Sequence, residues 1–453
     1  MLIIGAGQAG VPLARELATR GKRVGLAERK HLGGSCVNFG CTPTKAVIAS
    51  ARVAQLARRG AEFGLDIPRV TVDFKAVLER AKMLVTQSRL SIRDGLTDRE
   101  NLRPYPGHAR FTGRLKNLFQ VQIGDQNISA REVVLDTGTR SAIPPIPGLD
   151  DVPFLEAGNW LDHPTLPHHL AVIGGSYTGL EMAQFYRRMG SQVTVIDESA
   201  QITKNEDEDV AAAIQHYLES EGIAFRLGAR VMRARVQAKG GVELGLLQDK
   251  RSSRLTFSHL FVATGRQPNT DDLGLEQVGV KLAKDGTVPT DQRLATRVRG
   301  IWAAGDIRGG AMFTHTAWDD HRVLLSQIAG DGSRTTERLI PHAIYTDPQL
   351  GRVGLTEREA KKSRRPLHIG RYDMKKNGKA KEIGETGGFI KVIADAQSRR
   401  ILGASVLAAE GAELVHLFVN VMNARSPYST IGDAVYIHPT LAEAVQSAVT
   451  AIA

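Results

Sequence analysis

The sequence predicts an α/β protein with two Rossmann-like dinucleotide-binding domains followed by a C-terminal α+β domain. Two observations predict the first part: an apolar strand, a glycine-rich loop and a helix occur in that order at the N-terminus and again near residue 170. The third observation is a change of pattern after about Pro341, where hairpin-like segments replace the strand–helix alternation. We therefore expect the first domain at 1–150 and 273–338, the second at 151–272 and the last at 339–453.

The first glycine-rich loop, GAGQAG at positions 5–10, follows the apolar residues Leu2–Ile4 and precedes a helix to about Arg20. A second strand, from about Arg23, ends at Glu28. Glycines at such positions permit a tight turn and a close approach of the backbone to a pyrophosphate, and the carboxylate binds a ribose hydroxyl. The pattern predicts a dinucleotide site that contains Gly5, Gly7, Gly10 and Glu28.

The only two cysteines in the 453 residues, Cys36 and Cys41, lie five positions apart. A zinc site normally has four ligands, and a structural disulfide that closes so short a loop gains little stability. Two unrelated buried cysteines are a further alternative. A redox-active dithiol fits better, because Thr42 as N-cap and Pro43 as the first helical residue would place Cys41 at a helix N-terminus, with Lys45 one turn further. Both the helix dipole and the lysine favour the thiolate.

The next segments complete the first domain. A helix is expected from Phe74 to about Leu96, where apolar residues recur at helical spacing. Strands near 103–111, 118–123 and 132–136 follow, and the last leads into Thr137 and Gly138. The proline-rich stretch IPPIPG at 143–148 marks a domain boundary.

The second glycine-rich loop, GGSYTG at 174–179, has Ser176 in place of the middle glycine. It lies between a strand at 170–173 and a helix at 180–189, and the next strand, 192–196, ends at Asp197. An acidic residue at this strand end favours the free ribose hydroxyl of NAD over the phosphate of NADP. The acidic run at 206–209 is interpreted as the first turn of another helix rather than as a metal site.

A short apolar strand at 301–304 ends at Asp306, and the C-terminal domain then begins. Its hairpin-like segments are expected at 384–392 and 401–407, with helices at 411–423 and 441–451. His438 precedes Glu443 by five residues. A single histidine is usually structural, but this one has a carboxylate within reach and could be an oriented acid/base.

The composition argues against other classes of protein. The net charge is +11, but the basic residues are spread along the chain and form no patch or arm for a nucleic acid. No run of about 18 apolar residues occurs, so no membrane span is expected. The N-terminus leads directly into the first strand, which favours a cytoplasmic location. No metal site is predicted.

Two dinucleotide patterns with a dithiol, GGSCVNFGCTPTK at 33–45, resemble the class I pyridine nucleotide–disulfide oxidoreductases, over essentially the whole chain. The resemblance implies a homodimer that binds FAD and NAD(P)H, with a C-terminal dimerisation domain. Of the two nucleotides, NADH is favoured by Asp197 at the strand end. It implies that Cys41 is the thiolate next to the flavin, that Cys36 meets the substrate, and that Lys45 pairs with Glu181 near the flavin. His438 and Glu443 would act on the cysteines of the other subunit.

The resemblance also implies the members of two cofactor sites. Tyr177 would cover the nicotinamide pocket until NAD(P)H enters, and Asp306 would hold the ribityl chain. The implied FAD site consists of Gly5, Gly7, Gly10, Glu28, Gly34, Ser35, Lys45, Ala109, Thr137, Gly138, Asp306 and Thr314. The implied NAD(P)H site consists of Gly174, Ser176, Tyr177, Gly179, Asp197 and Gly265.

Within the family, the sequence is expected to belong to a mercuric-reductase-like branch without the C-terminal cysteine pair. CTPTK at 41–45 and YRRMGSQVTV at 186–195 resemble proteins labelled mercuric reductases, but those proteins carry a cysteine pair near the C-terminus that is absent from this sequence. Dihydrolipoamide dehydrogenases have a histidine where Tyr436 lies here. We expect a small-molecule electron acceptor: a disulfide, a metal ion or a quinone. Dihydrolipoamide oxidation is one alternative, and a slow redox-sensing flavoprotein is another.

Overall fold

A computed structural model describes residues 1–238, 240–363 and 365–452. It has a mixed α/β architecture: the described residues form a five-stranded and a four-stranded parallel sheet, a five-stranded antiparallel sheet in the C-terminal part, two three-stranded antiparallel sheets and one two-stranded antiparallel sheet. The expected fold class is therefore confirmed. The bounds of strands and helices follow from the N-terminus.

Residues 1–150 form eight strands and four helices. The strands are β1 (Leu2–Ile4), β2 (Val24–Glu28), β3 (Leu102–Pro106), β4 (Ala109–Leu115), β5 (Leu118–Ile123), β6 (Gln126–Ala130), β7 (Val133–Leu135) and β8 (Thr139–Ser141). The helices are α1 (Gly10–Thr19), α2 (Gly34–Asn38), α3 (Cys41–Arg58) and α4 (Phe74–Thr97).

The middle of the chain repeats the strand–helix pattern. Its strands are β9 (His169–Ile173), β10 (Gln192–Asp197), β11 (Ile223–Leu227), β12 (Ala229–Val236), β13 (Val242–Gln248), β14 (Arg251–Phe257), β15 (His259–Val262) and β16 (Arg266–Pro268). Its helices are α5 (Tyr177–Met189) and α6 (Glu208–Ser220).

The remaining elements return to the first domain and then form the C-terminal one. The strands are β17 (Ile301–Ala303), β18 (His342–Ile344), β19 (Gln349–Gly354), β20 (Leu367–Asp373), β21 (Phe389–Asp395) and β22 (Ile401–Ala408). The helices are α7 (Thr314–Ala329), α8 (Glu357–Lys362), α9 (Gly378–Glu382), α10 (Gly411–Asn423), α11 (Ser429–Gly432) and α12 (Ala442–Thr450).

In each of the two parallel sheets, the loops that follow the strands lie together at the carboxyl end of the sheet. In the first sheet the order is β17-β7-β1-β2-β3, so the residues that follow β1, β7 and β17 are neighbours although they are far apart in sequence. In the second sheet the order is β11-β10-β9-β15, which does the same for the loops after β9, β10 and β15. Ligands of such sheets bind at the carboxyl ends of the strands.

Two local expectations were wrong. The helix after the dithiol begins at Cys41 and not at Pro43, because the N–H of Thr44 already donates to the carbonyl of Gly40 at 2.9 Å. Gly40 therefore stands at the N-cap, and Thr42 makes no capping hydrogen bond. The single strand expected at 103–111 is two strands, β3 and β4, because Pro106 and Gly107 end the first.

The acidic run at 206–209 has a larger role than the first turn of a helix. Only its last two residues lie in the first turn of α6. Asp207 instead pairs at 3.0 Å with Lys391, a side chain that is 3% exposed and also contacts Asp209 at 2.7 Å and Glu357 at 3.1 Å. These contacts, which we call the Lys391 cluster, attach the start of α6 to the C-terminal domain.

Throughout the described ranges, every helix is too short or too polar to cross a membrane.

Candidate active site

The two cysteines lie on consecutive helices and face one cavity. Cys36 is in the short helix α2, and Cys41 is the first residue of α3. The Sγ of Cys41 lies 3.1 Å from the hydroxyl of Thr314, the first residue of α7. A hydrogen bond from the Cys36 thiol lowers the pKa of Cys41 despite its burial, and Thr314 and Lys45 add to this effect. The same contact, together with burial, raises the pKa of Cys36.

Lys45 is held one turn into α3 by an ion pair. Its Nζ lies 2.7 Å from the Oε2 of Glu181 on α5 and 4.5 Å from the centre of the Tyr345 ring. The other oxygen of Glu181 accepts the backbone N–H of Tyr345 at 2.9 Å. Burial favours the neutral amine, but Glu181 outweighs burial and raises the pKa of Lys45. A permanent positive charge therefore lies close to both thiols.

A cavity of about 860 Å³ extends from the dithiol to the first glycine-rich loop. Its volume lies within the range of roughly 300–1,000 Å³ that is usual for ligand sites. Among the described residues that line it, Gly10 of the expected FAD site does not occur, and neither does His438 of the expected acid/base pair. The other expected FAD-site residues all line it, namely Gly5, Gly7, Glu28, Gly34, Ser35, Lys45, Ala109, Thr137, Gly138, Asp306 and Thr314.

The walls of the cavity fit a dinucleotide. Gly5 has φ +106°, and a Cβ there would lie 2.1 Å from the carbonyl oxygen of Asp136, so only glycine fits this turn. Glu28 is fixed at the end of β2, where its two oxygens accept from the N–H groups of Ala6 at 2.9 Å and Lys30 at 2.8 Å. Asp306 accepts from the hydroxyl of Thr139 at 3.0 Å. Polar groups thus converge from three segments of the first domain.

The second glycine-rich loop has a matching construction. A Cβ on Gly179 would lie 1.9 Å from the carbonyl oxygen of Gly174, so helix α5 packs directly on the turn. The carboxylate of Asp197, at the end of β10, accepts from the N–H groups of Gly175 at 2.6 Å and Ser199 at 2.7 Å. Ser176 and Gly265 are both exposed at this edge. The loop and the acid therefore form one open surface.

Tyr177 belongs to a cluster of nearly parallel rings. Its ring centre lies 5.5 Å from that of His342 and 6.2 Å from that of Phe313, with interplanar angles of 21° and 17°. His342 and Phe313 are 5.4 Å apart at 6°. The imidazole of His342 is fixed by Glu206 at 2.9 Å. Residues from all three domains therefore hold the ring that the family resemblance places over the nicotinamide pocket.

His438 and Glu443 lie next to each other but away from the cavity. The Nδ1 of His438 is 3.0 Å from one oxygen of Glu443, and the other oxygen accepts the N–H of Thr440 at 2.8 Å. That backbone hydrogen bond and the contact with His438 lower the pKa of Glu443. The His438 side chain is 76% exposed, and so are its neighbours Val435 and Ile437. Within one chain, the structure does not bring His438 to Cys36.

One polar residue beside the first glycine-rich loop, Asp136, was not predicted from the sequence. Asp136 directly follows β7, and its Oδ2 accepts the N–H of Gly10 at 2.7 Å. The only signal was an acid immediately after an apolar strand, which by itself does not show that the two residues meet across 126 positions.

The chain belongs to the pyridine nucleotide–disulphide oxidoreductases. The model of that family matches residues 1–320, and the model of its dimerisation domain matches residues 340–449. Members are flavoprotein enzymes, so FAD and a pyridine nucleotide are the cofactors of this class, and the enzyme class expected from the sequence is confirmed.

Individual relatives span nearly the whole chain. The probable pyridine nucleotide-disulfide oxidoreductase RclA of Escherichia coli is 31% identical over 449 residues, which cover 98% of this chain and 97% of RclA. Its solved structure, an HOCl-induced flavoprotein disulfide reductase, superposes with a TM-score of 0.90 at 31% identity and covers 99% of both chains. A dihydrolipoyl dehydrogenase of Cupriavidus necator is 31% identical over 463 residues, covering 100% of this chain and 97% of its own length.

Proposed function

We propose that this enzyme passes electrons from NAD(P)H to a small disulfide through FAD and the Cys36–Cys41 pair. The observation that carries the proposal is the dithiol itself: two neighbouring thiols, one of them with a lowered pKa, at the end of a cavity that fits a dinucleotide. FAD, when bound, supplies two-electron transfer between the nicotinamide and the protein disulfide. Segments 1–150 and 273–338 would hold FAD, 151–272 would hold NAD(P)H, and 339–453 would form the dimer.

The two cysteines and the His438–Glu443 pair have separate roles in the reduction of the acceptor. His438 of the partner subunit takes the proton of Cys36 as the sulfur of Cys36 attacks the acceptor disulfide, whose S–S bond breaks as a mixed disulfide forms. The leaving thiolate takes a proton from His438 of the partner subunit, which Glu443 orients. The Cys41 thiolate attacks the sulfur of Cys36, releases the second thiolate of the acceptor, and closes the Cys36–Cys41 disulfide. Two electrons have then moved from the protein dithiol to the acceptor.

Steady-state turnover across a panel of acceptors tests this function. The panel contains small disulfides, lipoamide, a quinone and soft metal ions, each with NADH and with NADPH. The purified protein is expected to be yellow and to reduce a disulfide fastest. Correctly folded protein that binds no FAD would contradict the proposal, and so would a flavoprotein whose turnover does not depend on its cysteines.

NADH is expected to be the better electron donor. The Asp197 carboxylate is fixed by two backbone N–H groups at the strand end where an adenosine ribose binds. It would accept from a ribose hydroxyl and repel a phosphate, a difference of about 1–3 kcal/mol, or roughly 5- to 150-fold in kcat/KM.

The Asp197→Asn variant is expected to narrow that preference in kcat/KM. Glu198→Gln provides the matched control, because the neighbouring carboxylate is exposed and lies 3.8 Å from Arg230. A clear preference of the wild-type protein for NADPH would contradict the role of Asp197.

Mercury is expected to be a poor acceptor, in spite of the motifs shared with mercuric reductases. Soft metal ions are transferred between thiolates, and this chain has two cysteines, both in the dithiol. NADH oxidation with Hg(II) should therefore be slow and should end in inhibition. Because RclA was also solved as a Cu(II) complex, Cu(II) belongs in the same assay. Fast, sustained reduction of Hg(II) would contradict the argument that two cysteines are too few for mercury and would favour a mercuric reductase proper.

A second candidate is the oxidation of dihydrolipoamide with NAD. It is favoured by the full-length likeness to the Cupriavidus necator enzyme. The reverse reaction, reduction of NAD by dihydrolipoamide, is assayed beside the panel, because such an enzyme should catalyse it faster than it reduces any disulfide with NADH.

A further inference from the structure

Asp136 places an acidic side chain directly beneath the first glycine-rich loop. Its backbone N–H donates to the carbonyl of Ile4 at 2.8 Å, so it continues the pairing of β7 with β1. Its Oδ2 accepts the N–H of Gly10 at 2.7 Å, and a Cβ on Gly7 would lie 2.7 Å from the same oxygen. The residue is 6% exposed and lines the cavity. The carboxyl group therefore fills the space under the turn.

Gly10 is the first residue of α1, and the N–H groups at such a helix start normally bind phosphate anions. Here one of these donors is already taken by an acid of the chain. A cofactor pyrophosphate on the loop would lie close to that acid, and its negative charges would repel an ionised carboxylate.

The groups that face Asp136 do not neutralise it. Asp306, from the turn after β17, and Asp320, from α7, contribute further negative charge. Asp320 has its own cations, Arg308 at 2.9 Å and Arg338, and the nearest cation to Asp306 is Arg266 at 3.5 Å. None of the ion pairs in the described part of the chain involves Asp136. Burial, helped by the two neighbouring carboxylates, holds the pKa of Asp136 well above its usual range, against the hydrogen bond from Gly10.

We propose that Asp136 links the binding of FAD to a proton, so that FAD binds tightly when this side chain is protonated and weakly when it is ionised. The proposal rests on the FAD site described under the proposed function. In the protonated form, one carboxyl oxygen still accepts from Gly10 while the repulsion of the pyrophosphate disappears. The binding of FAD to ionised protein therefore takes up one proton from solution.

The sign of the effect follows from linkage. An acid ionises as the pH rises through its pKa, so the affinity for FAD should fall above the pKa that Asp136 has in the flavin-free protein. The ratio of the FAD affinity of the protonated protein to that of the ionised protein equals the ratio of the acid dissociation constant of Asp136 without FAD to that with FAD. Each unit by which FAD raises that pKa thus corresponds to a tenfold loss of affinity. One to two units, or roughly 10- to 100-fold, is the usual effect of a close like charge.

The test uses the full chain, stripped of flavin and titrated with FAD. Flavin fluorescence gives the dissociation constant from mildly acidic to mildly alkaline pH, and calorimetry in buffers of different ionisation enthalpy gives the number of protons taken up. Asp136→Asn keeps the shape and an oxygen for Gly10 but cannot ionise. The exposed Asp150→Asn is the matched control. His31 and His108 also line the cavity, so the difference between Asp136→Asn and the wild type isolates Asp136.

The wild type and Asp150→Asn are expected to take up protons and to lose affinity as the pH rises. Asp136→Asn should bind FAD tightly at high pH. Its proton uptake and its loss of affinity with rising pH should both be smaller than in the wild type. Equal pH dependence in Asp136→Asn and the wild type, or no proton uptake by the wild type, would overturn the inference and leave the FAD site intact. Failure of the wild type to bind FAD at any pH would overturn the proposed function and this inference together.

Discussion

Replacing Cys36 with serine is expected to abolish disulfide reduction, with a loss of roughly 10³-fold or more, because the attacking sulfur is gone. Reduction of bound FAD by NADH should continue. The remaining Cys41 lies at the start of α3, 3.1 Å from Thr314 and near the Lys45 ammonium. Both groups still lower its pKa after the Cys36 thiol is lost, and the serine hydroxyl can donate in place of that thiol. Cys41 should therefore be a thiolate at neutral pH and give a long-wavelength charge-transfer absorbance with oxidised flavin.

Cys41→Ser is the reciprocal variant and separates the roles of the two thiols. It should also lose turnover, and it should lack the absorbance band because the thiolate assigned to the flavin is gone, while burial still raises the pKa of the remaining Cys36. Absorbance spectra of the two variants, recorded without reductant, show which of the two sulfurs is the thiolate next to the flavin. If the band occurs in Cys41→Ser and not in Cys36→Ser, the assignment of the two sulfurs is reversed.

His438→Ala is expected to lower turnover with a disulfide by about 10²- to 10⁴-fold, the usual effect of losing a positioned acid/base. Rapid-mixing reduction of the flavin by NADH should be unchanged, because that half-reaction needs no proton from this side chain. His216→Ala, which removes an exposed histidine of α6, is the matched control. Normal turnover by His438→Ala would contradict its assignment.

A mixed dimer tests the route from one subunit to the other. His438 is exposed and separate from the cavity of its own chain, so the proposed function needs the partner subunit. Co-expression of Cys36→Ser with His438→Ala chains should restore close to half of the wild-type turnover per mixed dimer, since one site then has both an intact dithiol and an intact histidine. Mixed dimers as inactive as the parents would show that each chain uses its own histidine.

The sequence predicted those parts of the site whose signal is local. The two glycine-rich loops, the dithiol and the acids that end β2 and β10 each lie within about thirty residues of their partners. The start of α3 was misplaced, because Gly40 supplies the first helical carbonyl without any capping side chain to reveal it.

Contacts between distant segments could not be predicted in this way. Asp136 meets Gly10 only because β7 and β1 are neighbours in the sheet. The ring cluster likewise joins Tyr177, Phe313 and His342, which no spacing rule connects. In each case the sheet order, and not the local pattern, decides which side chains meet.

The Lys391 cluster has a consequence for behaviour in acid. Burial alone would raise the pKa of Asp207, but the hydrogen bonds from the N–H of Glu357 and from Lys391 outweigh it and lower that pKa. A carboxylate with a lowered pKa stabilises the folded state above the unfolded value of about 3.9 and loses this effect as the pH falls through the folded value. Acid should therefore weaken this attachment between the start of α6 and the C-terminal domain, and calorimetry should show the thermal transition moving to lower temperature as the pH falls through the folded value of Asp207.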